Sequence, residues 1–166
     1  MKFDPARILA RLRDGRVQFV VIGGVAGTLH GSPYLTSDLD ICVADDRRNL
    51  ERLAAALEEM EAKEWDDRKG AGREVEWSVE TLRFDETWLL MTNLGPLDIL
   101  FQPAGTEGYR DLAKLAVHYE IEGGPIAVAH IEDLIRMKEA AGRERDREQL
   151  PTLRKLAERG SSTPPF

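Results

Sequence analysis

Asp38 and Asp40 stand two residues apart in Ser37-Asp38-Leu39-Asp40-Ile41-Cys42-Val43, with no other charge in the run. Side chains two apart on a strand share a face, so the pattern aims two carboxylates one way and buries Leu39 on the other. Adjacent carboxylates repel, and keeping both ionised calls for a cation between them. Hard oxygen donors suit Mg²⁺, which takes its remaining ligands from water and substrate phosphates; Mn²⁺ accepts the same donors. Upstream, Phe19-Val20-Val21-Ile22 ends in Gly23-Gly24. A short helix opening there offers free amides to an anion, and glycine lets a phosphate approach the backbone closely. Asp98, between Leu97 and Ile99-Leu100, supplies a third carboxylate, the number that a two-metal site needs. Taken singly, each acid also reads as the polar position of a half-buried strand. Aspartate is disfavoured in strands, however, and two on one face after a Gly-Gly turn favour the metal.

These residues resemble the DNA polymerase β-like nucleotidyltransferase superfamily. Its signature is a hydrophobic residue, Gly, then Gly or Ser, a short helix, an Asp-hydrophobic-Asp strand and a later third acid. Ile22-Gly23-Gly24, then Asp38-Leu39-Asp40-Ile41 after thirteen intervening residues, then Leu97-Asp98-Ile99 stand in those places. The small bacterial nucleotidyltransferases of AbiEii and MenT type, many of them toxins, share further elements: His30-Gly31, Thr36-Ser37-Asp38-Leu39-Asp40 and, more weakly, the segment Arg136 to Arg143.

The resemblance implies an α+β fold, a mixed sheet flanked by helices with a small C-terminal helical extension. It implies an enzyme that moves a nucleoside monophosphate from an NTP to an acceptor hydroxyl. Asp38, Asp40 and Asp98 would hold Mg²⁺ or Mn²⁺, with Asp98 helping to take the acceptor's proton. Gly23 and Gly24 would cradle the triphosphate, Thr36 and Ser37 would lie on its approach, and Lys138 would support its phosphates, followed by Asp146. The acceptor implied is an RNA 3′ end, such as that of tRNA, or a hydroxyl of a partner protein, and a cognate antitoxin would be a further partner. One position departs from the pattern: Tyr34 stands where the family often carries Arg. That removes a fixed cation and keeps open an alternative, a nucleotide-binding or partner-binding module with little turnover.

The remaining candidates are weaker. His30 reads as a helix-terminal packing residue, and His118 and His130 lack metal-ligand spacing. Cys42 is the only cysteine, so neither a disulfide framework nor a cysteine zinc site is available. Arg136, Lys138, Arg143, Arg145 and Arg147 form a cation-dense run that reads equally as a nucleic-acid patch or as a solvated helix face with glutamate partners.

Capping and periodicity outline the elements that must position the acids. Asp4-Pro5 opens a helix that Gly15 ends, Val17 to Ile22 is a central strand, and Gly23 to His30 is a short helix. Leu39 to Ala44 is a strand, and Asp46 caps a helix running to about Ala62. Glu64 to Arg73 reads as a flexible loop, Val75 to Arg83 and Trp88 to Thr92 as strands, and Leu97 to Phe101 as the strand of Asp98. Thr106 caps a helix to about Leu115, Val117 to Ala129 is a hairpin about Gly123-Gly124, and two helices broken near Gly142 follow Ile131.

A chain of 166 residues can bury a sizeable core. We divide it into a core of residues 1–130, packing helices at 131–160 and a disordered tail at 161–166. No apolar run approaches the roughly 20 residues of a membrane span, and the charged N-terminus lacks a signal-peptide core, which implies the cytoplasm and no membrane partner. A net charge of −7 argues against a dedicated nucleic-acid module, although a local basic patch can act alone.

Overall fold

The computed structural model describes residues 2–160; the proposed disordered tail lies outside them. Helix α1 (Pro5–Asp14) leads into β1 (Phe19–Ile22), α2 (Gly23–Leu29), β2 (Leu39–Val43) and α3 (Arg47–Glu59). A β3 (Lys63–Asp66) and β4 (Ala71–Arg73) hairpin, α4 (Val79–Leu82), β5 (Thr87–Thr92) and β6 (Gly95–Leu100) follow. The described residues close with α5 (Tyr109–Ala113), β7 (Val117–Ile121), β8 (Gly124–Val128), α6 (Ile131–Ala141) and α7 (Glu144–Gly160). All eight strands form one mixed sheet in the order β4-β3-β5-β6-β2-β1-β8-β7. β2 runs parallel to β6 and β1 parallel to β8, which is the α+β architecture expected.

Register explains which face is closed. Leu39 pairs with Leu97 and Ile41 with Ile99, while Trp88 and Leu90 on β5 stand opposite Ile99 and Leu97. All six are buried, and the fully buried Ile8, Leu9 and Leu12 of α1 and Leu50, Leu53 and Leu57 of α3 join them in one core. Trp77 meets Trp88 edge to face at 5.4 Å, a favourable aromatic geometry. The other face carries Asp40 and Asp98. A smaller cluster of Ile135, Leu150 and Leu153 holds α6 against α7. Among the described residues no helix is long and apolar enough to cross a membrane.

Asp4 and Asp46 cap α1 and α3 as expected. Three expectations fail. Glu64 to Arg73 is not a loop but a hairpin at the sheet edge; its outer strand β4 is exposed along its whole length and needs no apolar alternation, so its polarity conceals it. Val75 to Arg83 is not a strand. Ser78 Oγ accepts from Thr81 N at 3.1 Å and opens the one-turn α4, whose Val79 and Leu82 are buried at helical spacing. Thr106 does not cap a helix to Leu115: its hydroxyl donates to Pro103 O at 2.9 Å and accepts from Gly108 N at 3.1 Å, and α5 begins at Tyr109.

Candidate metal and nucleotide site

Asp38, Asp40 and Asp98 each offer a carboxylate oxygen, and these oxygens lie within 4.8 Å of one another. The sheet accounts for this. Asp40 and Asp98 are direct neighbours across the parallel β2–β6 pair, and Asp38 precedes Asp40 by one pleat. Ile22 stands opposite Asp40 on β1, so the chain turns at Gly23 immediately beside that carboxylate.

Both glycines of the turn are required by close approach. Gly23 has φ +67°, and a Cβ there would collide with the Asp40 carboxylate, coming within 2.9 Å of its Cγ. A Cβ on Gly24 would lie 2.7 Å from Thr36 Cβ. Thr36 in turn donates its hydroxyl to the Asp38 carboxylate at 3.2 Å and the Asp38 carbonyl at 3.0 Å. Turn, threonine and carboxylates are therefore packed as one unit. Ser37 beside them is exposed.

The electrostatics show what the cluster lacks. Burial, then the charges of Asp40 and Asp38, push Asp98 up to about 8. Burial and the Asp38 charge push Asp40 up to about 6, opposed by a hydrogen bond with Asp98 and the positive charges of Arg145 and Arg143. At neutral pH the pair retains a proton that a divalent cation would displace. Three hard oxygen donors, with no thiolate or imidazole among them, fit Mg²⁺ or Mn²⁺.

Asp98 and Asp40 bind protons more tightly folded than unfolded, so between about pH 4 and 8 the unfolded chain holds fewer protons and stability falls as pH rises. After solvent screening the loss is on the order of 1 kcal/mol, or roughly 2–4 °C in melting temperature. Thermal melts from pH 5 to pH 8 should show this fall without divalent cation, and 5 mM Mg²⁺ (about that concentration) should flatten it by exchanging protons for metal.

His30 packs at the end of α2, its Nε2 2.8 Å from Ala129 O and its ring against Tyr119, and burial lowers its pKa. Lys138 Nζ lies 3.4 Å from Asp146 Oδ1, and Arg143 Nε is 2.8 Å from Asp146 Oδ2. Asp146 is fully buried; burial opposes its ionisation, but Arg143 and Lys138 hold its pKa below the usual range. Lys138 is thus partnered by Asp146, and sequence spacing alone did not reveal that the two candidates form a pair. Arg136 bridges Asp111 and Asp133 at 3.0 Å each. Of the cation-dense run, Arg143 and Arg145 are the members whose charge reaches Asp40. Tyr34 ties its loop to α7 through its hydroxyl, 3.3 Å from Glu148 O.

No protein-family model matches the chain, and no curated protein does. Among solved structures, the chain is similar to TM1012 from Thermotoga maritima, described as a "putative nucleotidyltransferase", with TM-score 0.54 and 20% identity over 92% of this chain and 89% of that one. The antibiotic-resistance factor ANT(2'')-Ia is more distant, with TM-score 0.46 and 19% identity over 78% of this chain and 64% of that one. JHP933 from Helicobacter pylori gives TM-score 0.37 and 18% identity over 83% and 57%. The fold is nucleotidyltransferase-like.

Proposed function

We propose that this chain is a metal-dependent nucleotidyltransferase. The convergence of Asp38, Asp40 and Asp98 beside the Gly23-Gly24 turn carries the reading. A bound Mg²⁺ pair would stabilise the charge on the entering and leaving oxygens of an in-line displacement. The chain's own groups supply the rest. Asp38, held by Thr36, and Asp40, held against Gly23, present fixed oxygens to the metal. The backbone at Gly23 and Gly24 meets the triphosphate, with the Ser37 hydroxyl and Lys138 as its further contacts. The acceptor oxygen bonds to the α-phosphorus, the bond from that phosphorus to the bridging oxygen of the β-phosphate breaks, and pyrophosphate leaves. Asp98 takes the acceptor's proton, a role that suits a carboxylate with raised proton affinity.

The Thr36-to-Asp40 motif with His30-Gly31 supports an RNA 3′ end or a partner-protein hydroxyl as acceptor, and a toxin role opposed by a cognate antitoxin. The alternative, a binding module with little turnover, draws on Tyr34, whose hydroxyl serves the loop tether and supplies no cation. A pure binding module has no use for three mutually repelling acids. Transfer of radiolabel from each of the four NTPs to total RNA and to lysate proteins, with Mg²⁺ or Mn²⁺, tests the proposal. Label should move from at least one NTP; no transfer from any would overturn it.

Lys138→Ala should raise KM for the NTP about tenfold or more, the value of a charge-assisted contact. The variant should also be less stable by about 1 kcal/mol, because the buried Asp146 loses one of its two cations. NTP titrations and melts read both; an unchanged KM would leave Lys138 a purely structural partner.

A further inference from the structure

The carboxylates stand at one end of an open strip of sheet. Asp98 pairs across to Leu89 on β5, and Leu89 is 48% exposed. Met91, half-buried, shares its face. Lys63 stands opposite Met91, so the pleat places Trp65, also half-buried, on that face of β3. Beyond Trp65 lies Gly72 on β4; a Cβ there would sit 3.1 Å from Lys63 Cβ and 3.6 Å from Trp65 Cε3. The indole edge and the Lys63 stem thus lie directly against Gly72, which has no side chain to separate them from the β4 backbone. A sheet face turned to water normally carries polar residues, yet leucine, methionine and tryptophan occupy it beside the acids. An exposed leucine flanked by half-buried methionine and tryptophan on one open face is apolar surface of the kind that binding sites use.

We propose that this strip is the acceptor side of the site, and that a nucleobase of the acceptor stacks on Trp65. The inference rests on the nucleotidyl-transfer reading. A flat apolar platform selects a planar ring, and base–aromatic stacking is sequence-tolerant and strong. Two strand spacings, roughly 10 Å, separate the Trp65 strand from the Asp98 strand. A nucleoside lying across Leu89 covers that span, with its base over the indole and its ribose hydroxyl at Asp98. Lys63 is placed for a flanking phosphate, since its 3.0 Å pair with Glu74 is solvent-exposed and costs little to open. Free nucleoside and RNA 3′ end share this chemistry.

Tryptophan fluorescence of the full chain separates them. Of the three tryptophans, Trp77 and Trp88 are 6% and 4% exposed, so a stacking ligand reaches Trp65 alone. Adenosine and a short oligoadenylate are the probes. Saturable quenching by both at similar affinity indicates a free nucleoside acceptor; quenching by the oligonucleotide alone indicates an RNA end. Trp65→Ala should weaken binding of a labelled oligoadenylate, or of adenosine, about tenfold or more and raise acceptor KM, with NTP KM unchanged. Trp65→Phe should restore most of it. No saturable quenching by either probe, or wild-type affinity in Trp65→Ala, overturns the proposal. Quenching of the wild-type chain by either probe, with no thermal response to Mg²⁺ and NTP and no label transfer, would sink the transfer reading while leaving the nucleobase platform standing.

Discussion

Asp40→Asn is expected to lower nucleotidyl transfer at least a thousandfold (about 4 kcal/mol in the barrier) and to remove the thermal stabilisation given by Mg²⁺ with NTP. Asp40 is the central acid, between Asp38 one pleat before it and Asp98 on the next strand. An amide keeps the shape but offers one neutral oxygen in place of a charged pair, too weak a donor for a hard dication. The variant should nonetheless fold well. Without metal, the charge of Asp40 raises the proton affinity of Asp98, and that of Asp38 raises the proton affinity of Asp40, so deleting the charge at Asp40 relieves repulsion. The metal-free melting temperature at pH 8 should therefore rise slightly above wild type while the metal-dependent gain disappears. A variant that responds to Mg²⁺ and NTP like wild type would remove the carboxylate pair from the mechanism.

Gly23→Ala should be nearly as damaging to activity and far more damaging to the fold. A non-glycine residue at φ +67° costs roughly 1–2 kcal/mol. The added methyl also meets the Asp40 carboxylate, which is fixed by the sheet on one side and Asp98 on the other. Overpacking of this order costs about 1–3 kcal/mol more, and displacing a reacting group by about 1 Å costs roughly a hundredfold in rate. Gly70→Ala is the internal control. Gly70 has φ +58° in an exposed turn with nothing within 4 Å of the added Cβ, so it should show the backbone cost alone. Equal losses in denaturant melts of the two variants would mean that the contact with Asp40 contributes nothing.

Local chemistry made much of this chain legible. The apolar run into Gly23-Gly24 ends a strand and starts a helix whatever surrounds it, because glycine and the β-branched residues act through their own backbone preferences. The Asp4-Pro5 and Asp46 caps work likewise through hydrogen bonds spanning three residues. Alternation at Asp38-Leu39-Asp40 required both acids to share a face. The segments misread as a loop or a strand had no such local signal. The β3–β4 hairpin is polar because it is an edge, and α4 is a single turn whose Val79 and Leu82 take their meaning from the core they meet.

What the linear order determined is the set of acids, the turn beside them and the strand that aims two of them. Pairing across the sheet decided the rest. Asp98 becomes a neighbour of Asp40 only through the parallel register of β2 with β6, fifty-eight residues apart along the chain. The Lys138–Asp146–Arg143 cluster and the approach of Arg143 and Arg145 to Asp40 depend on how α7 folds back on α6. The exposed Leu89 and Trp65 acquire a role only once β5 and β3 are laid down beside Asp98. Backbone preference acts over a few residues and can be read in order, whereas strand register is set by the burial of a whole face, which no single segment encodes.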